Sequence, residues 1–300
     1  MRGRSILIGR TTIMTYSAIP NRIFRTIGVS AAFVAFLFVC VHLPALAGVR
    51  TTPQIVFADY HQRSVHVNVN NPSDNPIEVW IEFKYGYHIS DDTGKITVIT
   101  PDTLQADDKS AASWIKAYPQ RFTLGPAESQ VVRFVVNAPS GLSAGEYWAR
   151  ILIASKDQKK PQIAGKKGFG AAFELVTITS VPFHYRYLDV STGLELVRAL
   201  EYRSSGNILS AILPVKRTGN ASYWGMVNCR IIRDGKTLVS HDYNLVVYKD
   251  LTYKMDIDRT NVPSGEYTLE VDVRTQRADI DNRNVIKAEP LSWSIPVTLK

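Results

Sequence analysis

Hydrophobic and polar residues alternate along much of the chain with a period of two. Between residues 63 and 70 every second residue is valine, and residues 77–85 repeat the alternation with isoleucine, valine, phenylalanine and tyrosine. Successive side chains of a β-strand point to opposite faces, so this period indicates strands with one buried face. The intervening segment 71–76, rich in asparagine and proline, predicts a turn.

The same pattern continues to the end of the chain, and no stretch has the spacing of a long amphipathic helix. The further predicted strands are 130–137, 147–154, 171–187, 194–202, 208–217, 223–233, 237–248, 251–258, 267–274 and 285–299. Many strands of this length, separated by Gly, Pro, Asn and Asp, are typical of β-sandwiches. The sequence therefore predicts an all-β protein.

A short sequence recurs at the start of two of these strands. Gly145-Glu146-Tyr147 and Gly265-Glu266-Tyr267 each follow a loop that contains Pro-Ser. In immunoglobulin-like (Ig-like) sandwiches a tyrosine near the start of a late strand bonds its hydroxyl to nearby backbone. We therefore predict two Ig-like sandwiches in tandem, at 48–188 and 189–300, although chance recurrence of three residues is the alternative.

The N-terminal residues 1–47 have the pattern of a secretory signal peptide. Arg22 and Arg25 precede an apolar run at 27–43, and Ala45-Leu46-Ala47 matches the small-x-small pattern of signal cleavage sites. A run of about 17 residues is at the lower limit for spanning a bilayer, so an uncleaved anchor is the alternative. We expect export, no membrane span after cleavage, and either Met1 or Met14 as the start.

The charge of the chain changes once this segment is set aside. The formal net charge is +8, but five arginines of residues 1–47 have no acidic counterpart, which leaves +3 for residues 48–300. Nucleic acid is therefore not an expected partner. Residues 48–300 contain a single cysteine, Cys229, so no internal disulfide can form and we predict a small buried core residue there.

Motifs for catalysis or metal binding are missing from the sequence. The six histidines are scattered, no Gly-x-Ser-x-Gly occurs, and the glycine-rich segment 165–170 lacks the spacing of a phosphate-binding loop. Asp91-Asp92-Thr93-Gly94 lacks the ligand ladder of an EF-hand and predicts a solvated turn. We predict a protein that is not an enzyme and needs no metal or other cofactor.

Residues 113–134 resemble the signature of the PapD-like periplasmic pilus chaperones. Residues 53–57 and 64–71 are similar to the first two strands of that family, and 181–186 to the end of the last strand of its first domain. The resemblance covers about residues 50–190, with Ala127 where the family usually has glycine. The matching signature positions are Pro119, Arg121, Leu124, Pro126, Gln130 and Arg133.

The resemblance implies a mechanism in which the chaperone lends an edge strand to a pilin subunit that lacks one. It also implies a periplasmic location, pilin-like or other secreted surface subunits as partners, and an outer-membrane usher. The strand predicted at 171–187 is the implied donor. Its donor residues fall on Phe173, Leu175, Thr177 and Thr179. The alternative is that both faces are core, since Val176 and Ile178 occupy the other face.

The resemblance fails at two positions. The family holds the terminal carboxylate of the subunit with an arginine of the first strand and a lysine of the last, and these positions are Gln54 and Pro182 here. Other cations would have to replace them, or these cations are ordinary surface or cross-strand pairs. The candidates are Arg121, Arg133, Arg150 and Arg186.

Two further functions remain open at this point. An exported Ig-like structural or adhesion protein would bind carbohydrate or protein through exposed aromatics such as Trp80, Tyr85 or Trp224, with residues 171–183 paired on both edges. An exported hydrolase would need a polar cleft. The chaperone hypothesis predicts instead a reachable edge at 173–179, a cleft between the domains, and a basic loop before the edge, with lysines at 156, 159, 160, 166 and 167.

Overall fold

A computed structural model describes residues 48–158 and 175–300. The predicted signal peptide, the lysines at 159–167 and Phe173 lie outside the described residues. No helix in the described ranges is long and apolar enough to cross a membrane. These ranges contain two short 3-10 turns and nineteen strands: β1 Arg50–Thr52, β2 Val56–Asp59, β3 Ser64–Asn70, β4 Ile77–Lys84, β5 Tyr87–Ser90, β6 Ile96–Ile99, β7 Ile115–Tyr118, β8 Arg121–Leu124, β9 Ser129–Val136, β10 Gly145–Asp157, β11 Val176–Tyr187, β12 Thr192–Leu196, β13 Glu201–Ser205, β14 Ile208–Gly219, β15 Tyr223–Arg233, β16 Lys236–Val247, β17 Asp250–Asp258, β18 Gly265–Arg274 and β19 Leu291–Leu299.

The first sandwich is built from two sheets whose apolar faces enclose one core. One sheet has the order β1-β3-β9-β7, and the facing sheet has the order β2-β11-β10-β4-β8. Val67 and Phe134 from the first sheet, and Ile151 and Phe183 from the second, are completely buried in this core. The alternation along each strand therefore sorts its residues between core and solvent.

The second sandwich repeats this arrangement with strands β12–β19. One sheet has β14 at its centre, with β12 and β13 on one edge and β17 on the other, and the facing sheet has the order β16-β15-β18-β19. Val227, Ile231 and Leu269 are completely buried in a core of its own. The prediction of an all-β protein with two Ig-like sandwiches is confirmed.

Both sandwiches have the corner tyrosine that the repeated sequence predicts. Tyr147 donates its hydroxyl to the Ser143 carbonyl at 3.0 Å, and Tyr267 donates to the Pro263 carbonyl at 2.8 Å. Each bond reaches back four residues and closes the loop that leads into the strand. The recurrence of Gly-Glu-Tyr therefore reports the same local structure twice.

Two strand predictions in the second sandwich are wrong. The predicted strand 194–202 is two short strands, because the chain turns between them to bury Leu200 while the Val197 N–H bonds to the Pro214 carbonyl. The predicted strand 285–299 begins only at Leu291. Pro290 precedes it, and proline cannot donate a ladder hydrogen bond.

A hairpin that the sequence pattern did not predict connects the two sandwiches. Residues 86–110, which we call the strap, leave the end of β4 and contain the antiparallel pair β5–β6. Its turn is closed by Asp91, whose Oδ1 accepts bonds from the N–H groups of Thr93 at 2.9 Å and Lys95 at 3.0 Å. The prediction of a turn at residues 91–94 is thus confirmed. Ser90 Oγ accepts a bond from the Thr252 N–H of the second sandwich at 2.7 Å.

Candidate functional site

One edge of β11 is largely unpaired. On its other edge, β11 pairs antiparallel with β10 along its whole length, from Val176 opposite Lys156 to Tyr187 opposite Gly145. On the edge in question β2 pairs only with residues 183–186, and no strand of the described ranges pairs with residues 176–182. The pairing on both edges that the adhesion hypothesis predicts is therefore missing along this stretch.

The side chains at the start of β11 are unusually exposed for apolar residues. Leu175, Val176 and Ile178 are 73%, 42% and 58% exposed, whereas Val181 and Phe183 farther along the strand are buried. Leu175 shares the parity of Val181 and Phe183, so it continues the inward face of the strand beyond the core. Val176 and Ile178 lie on the outward face. The edge therefore exposes apolar groups on both faces.

Thr177 and Thr179, two of the predicted donor residues, lie on this inward parity and are half-buried. The Thr179 hydroxyl donates to the Val49 carbonyl at 3.3 Å. At Gly48 an added Cβ would lie 2.9 Å from Thr177 Cγ2, so the backbone passes close to this side chain. The chain that enters β1 therefore runs beside the unpaired edge.

A groove lies between β1 and β11, where the two sheets of the first sandwich meet. It has a volume of about 600 Å³ and is lined by residues 49–52, Gln54 and residues 179–181. Arg50 is exposed at this groove and has no ion-pair partner in the part of the chain that the structure describes. Arg50 was not predicted, because the alignment to the family placed the first-strand cation at Gln54 and Arg50 lies before residues 53–57, which resemble the first strand. A basic residue three positions before that segment was the available signal.

Two of the four candidate cations lie on outer faces of the first sandwich. Arg121 is 69% exposed, pairs with Glu78 at 3.3 Å and lies over the Trp80 ring at 5.9 Å. Arg133 Nε donates to Ser64 Oγ of the neighbouring strand at 2.8 Å. Both therefore make cross-strand surface contacts away from the groove.

Arg186 takes part in the contact between the sandwiches. Its Nε donates to Glu146 Oε2 at 2.9 Å, and its Nη2 donates to the Asn284 carbonyl of the second sandwich at 2.7 Å. Its guanidinium also lies 4.8 Å from the centre of the Phe57 ring. These contacts occupy Nε and Nη2 and leave the Arg186 side chain only 13% exposed.

Arg150 is the fourth candidate and is buried under the strap. It lies opposite Pro182 in the β10–β11 register, is 4% exposed, and has no carboxylate partner within the described ranges. Its Nη2 lies 3.2 Å from His88 Nε2. Burial and the neighbouring Arg150 charge lower the pKa of His88 to about 4, so the ring is neutral and accepts this bond. In this conformation an external carboxylate cannot reach Arg150.

Aromatic side chains fill the contact between the two sandwiches. Trp148 of β10 packs against Tyr248 with ring centres 5.3 Å apart, and Tyr85 and Trp224 are only 4% and 5% exposed. The expectation that Tyr85 and Trp224 form an exposed patch is therefore wrong, because both rings are buried in this aromatic cluster. Trp80 is half-buried.

A buried carboxylate lies beside this aromatic cluster. Glu146 is completely buried and accepts bonds from His184 Nδ1 at 3.0 Å, from Arg186, and from both the N–H and the hydroxyl of Ser222. The Tyr248 hydroxyl lies 3.3 Å from His184 Nε2. Burial raises the pKa of Glu146, but the His184 ring and Arg186 outweigh it and hold the pKa well below its usual 4.5. This cluster joins the two sandwiches through hydrogen bonds.

The position that aligns with the first-strand arginine of the family faces acidic groups. Gln54 lines a cavity of about 390 Å³ together with Asp279 and Asp281. Arg277 pairs with Asp279 at 2.5 Å and Arg283 pairs with Asp281 at 2.7 Å. This cavity therefore offers no unpaired cation that could hold a terminal carboxylate.

Cys229 is a core residue, as predicted. It is completely buried, its Sγ lies 3.5 Å from Met255 Sδ, and burial raises the pKa of its thiol to about 12. A thiol in this state is a poor nucleophile at neutral pH.

No family model matches the sequence, and no curated protein matches it. Several solved structures are similar to the chain. A Salmonella enterica complex of SafA pilin with the SafB chaperone is 15% identical with a TM-score of 0.41, covering 84% of this chain and 99% of that one.

Two other solved structures have similar values. The CsuC–CsuE chaperone–tip subunit complex of Acinetobacter baumannii Csu pili is 12% identical, with a TM-score of 0.41. The class 5 fimbriae chaperone CfaA is 13% identical, with a TM-score of 0.43. Each match covers 82% of this chain and 98% of the other. These three structures contain fimbrial or pilus chaperones, two of them in complex with a subunit.

Proposed function

We propose that the protein is a periplasmic chaperone that holds secreted surface subunits by donating the unpaired edge of β11. One observation carries this proposal: no strand of residues 48–158 or 175–300 pairs with residues 176–182 on one edge, while Leu175, Val176 and Ile178 are exposed there. Unpaired backbone groups flanked by apolar side chains form a template for an added strand. The resemblance of residues 113–134 to pilus chaperones supports the same function.

In the proposed complex an incomplete subunit adds its own strand to this edge. Its backbone bonds to β11, and Leu175, Thr177 and Thr179 enter the groove that the subunit leaves open. A fully buried leucine contributes about 1.5–3 kcal/mol, so a few such side chains hold a subunit while exchange during assembly remains feasible. Leu175 gains most, because it is 73% exposed without a partner.

The proposal assigns the carboxylate anchor to Arg50. Arg50 lines the groove beside the unpaired edge and has no ion-pair partner among the described residues, whereas Arg186 is bound to Glu146 and Arg150 is buried. A guanidinium can bind both oxygens of a terminal carboxylate. We expect Arg50→Gln to weaken capture of a subunit without altering the fold, because the side chain is exposed.

The proposed activity is binding alone. It involves export to the periplasm, subunits of the pilin type as partners and an outer-membrane usher as the recipient. It requires neither a cofactor nor a catalytic residue, since strand addition makes and breaks only non-covalent contacts.

The test is affinity purification of the protein, tagged at Lys300, from the periplasm of its own bacterium, followed by mass spectrometry. We expect a stoichiometric β-rich partner that is lost in Leu175→Glu and retained in Val197→Glu, a matched change at a residue that is 59% exposed in the second sandwich. Circular dichroism should show both variants folded. Retention of the partner by Leu175→Glu contradicts strand donation. A folded wild-type protein without any partner favours the adhesion function.

A further inference from the structure

The strap combines negative charge with exposed apolar side chains. It contains five acidic residues and two lysines, in a protein whose residues 48–300 carry a net charge of +3. Ile89, Ile96, Val98 and Leu104 of the strap are 37%, 40%, 44% and 51% exposed. Single exposed apolar residues are common on protein surfaces, but several exposed apolar residues within one short segment such as the strap indicate an interaction surface.

Contacts with the second sandwich hold the strap in place. Besides the bond from Thr252 to Ser90, Lys249 Nζ donates to Asp108 Oδ1 at 2.7 Å and lies 5.0 Å from the centre of the Tyr87 ring. The backbone at Gly94 packs so closely that an added Cβ would lie 2.5 Å from Lys254 Cβ. The strap therefore presents its apolar residues on a fixed framework.

The outer edge of β6 is open. β5 pairs with β6 on one side and packs near β17 on the other, while β6 pairs only with β5 within the described ranges. Ile96 lies opposite Ser90 and Val98 lies opposite His88, so both share one face of the hairpin, and Ile89 lies on the other face. An extended segment added to β6 would find apolar groups on both faces.

The exposed negative charges of the strap favour a positively charged partner. Asp92 and Asp102 are exposed, and Asp107 is 79% exposed at 3.9 Å from Lys249. A negative surface attracts lysine and arginine side chains and repels nucleic acids and anionic lipids. The matching partner is therefore a protein segment that carries positive charge between apolar residues.

We propose that the strap is a docking surface for a basic, apolar, extended segment of a second protein, which adds to the edge of β6. The strap begins after Lys84, which lies opposite Arg150 on β10, whereas Val176 of the β11 edge lies opposite Lys156. Six residues of β10 separate the two positions, a distance of about 20 Å. The strap therefore leaves the sheet about 20 Å along β10 from the start of the proposed subunit site.

A synthetic probe tests this directly. The probe is a ten-residue peptide that alternates valine and lysine, with blocked termini and a fluorescent label, and its partner is the purified protein expressed from its full sequence. We expect anisotropy to show saturable binding and hydrogen exchange to show protection at residues 96–99. Val98→Lys should weaken binding about tenfold or more, because it removes an apolar contact and places a positive charge against the lysines of the peptide, while Val197→Lys leaves binding unchanged.

Charge reversal and a second site provide the controls. The peptide with glutamate in place of lysine should bind at least tenfold more weakly, and the double change Asp92→Lys and Asp102→Lys should reverse this preference. Leu175→Glu should leave binding unchanged, which separates failure here from failure of the subunit site. Absence of binding at about 1 mM peptide overturns the proposal. Loss of binding in Leu175→Glu, or concentration-dependent dimers that protect residues 96–99 without peptide, overturns it as well.

Discussion

Replacing Glu146 by glutamine tests how the two sandwiches are joined. The substitution Glu146→Gln keeps the shape of the side chain but removes the negative charge that His184 and Arg186 face. All three residues are largely buried, because the side chains of Glu146 and His184 are 0% exposed and that of Arg186 is 13% exposed. Because these side chains are buried, water can replace little of the interaction that is lost with the negative charge of Glu146.

The expected cost follows from these contacts. Breaking a buried ion pair by removing one partner costs about 3–5 kcal/mol. Arg186 retains its bond to the Asn284 carbonyl and its contact with the Phe57 ring, so we expect the lower end of that range, about 3 kcal/mol. The control Glu270→Gln should cost less than about 1 kcal/mol, because that pair is about a third exposed and Arg230 keeps Asp272 at 2.5 Å.

Urea unfolding monitored by tryptophan fluorescence measures the effect where it occurs. Trp148 and Trp224 are buried between the sandwiches, so in a background with phenylalanine at the other three tryptophans, Trp80, Trp114 and Trp293, the emission reports this contact, while circular dichroism reports the strands of both. We expect the fluorescence midpoint of Glu146→Gln to fall and to precede the dichroism midpoint. Equal small shifts in Glu146→Gln and Glu270→Gln would refute the claim that Glu146 joins the sandwiches.

The lowered pKa of Glu146 also predicts how the stability difference between the wild type and Glu146→Gln changes with pH. The pKa of Glu146 in the folded protein lies well below 4.5, so its stabilising contribution is complete above about pH 4.5 and is lost as the pH falls. The difference in stability between the wild type and Glu146→Gln should therefore narrow between about pH 5 and about pH 2. A difference that stays constant over this range contradicts the charged state of Glu146.

Three further predictions concern single side chains. Cys229, whose pKa burial raises to about 12, should not react with a thiol reagent at about pH 8 until urea unfolds the protein, and reaction of the native protein contradicts its place in the core. The pKa of His88 is lowered to about 4, first by burial, so its NMR signals should stay constant as the pH falls to about 5, and the stability that depends on the neutral ring should be lost between about pH 6.5 and pH 4. Tyr267→Phe removes the bond to the Pro263 carbonyl and should cost about 1 kcal/mol in urea unfolding, whereas an unchanged midpoint contradicts the role of that bond.

The strands with one buried face were the most predictable part of the fold. Residues 63–70 alternate between valine and polar side chains, and β3 shows the same alternation of buried and exposed positions. The corner tyrosines were also predictable, because Tyr147 and Tyr267 each bond to a residue four positions earlier. In both cases the determining interactions are local in sequence or repeat with the period of the strand.

Features that depend on distant parts of the chain were not predictable. The strap folds against β17, and its own sequence does not show that Ser90 will find the Thr252 N–H. Glu146 looks like any polar residue before a strand, since His184, Arg186 and Ser222 reach it from other strands. The same cause explains the buried Tyr85 and Trp224, because a pattern along one strand does not show that aromatic residues distant in sequence will cover these rings.

The candidate site was predictable only in part. The alternation along residues 171–187 identified the strand, but the edge that lacks a partner depends on where β2 stops pairing. Arg50 enters the groove because β1 pairs with β3 in the facing sheet. Neither fact follows from a local pattern, and both are needed to locate the proposed subunit site.

The most direct test of strand donation is hydrogen exchange of the protein alone and in the complex purified with its partner. Donation predicts that alternate amides of residues 176–181 exchange quickly in the free protein and become strongly protected in the complex, because the added strand accepts their hydrogen bonds. Protection that appears only at the second sandwich, with residues 176–181 unchanged, would contradict the proposed function.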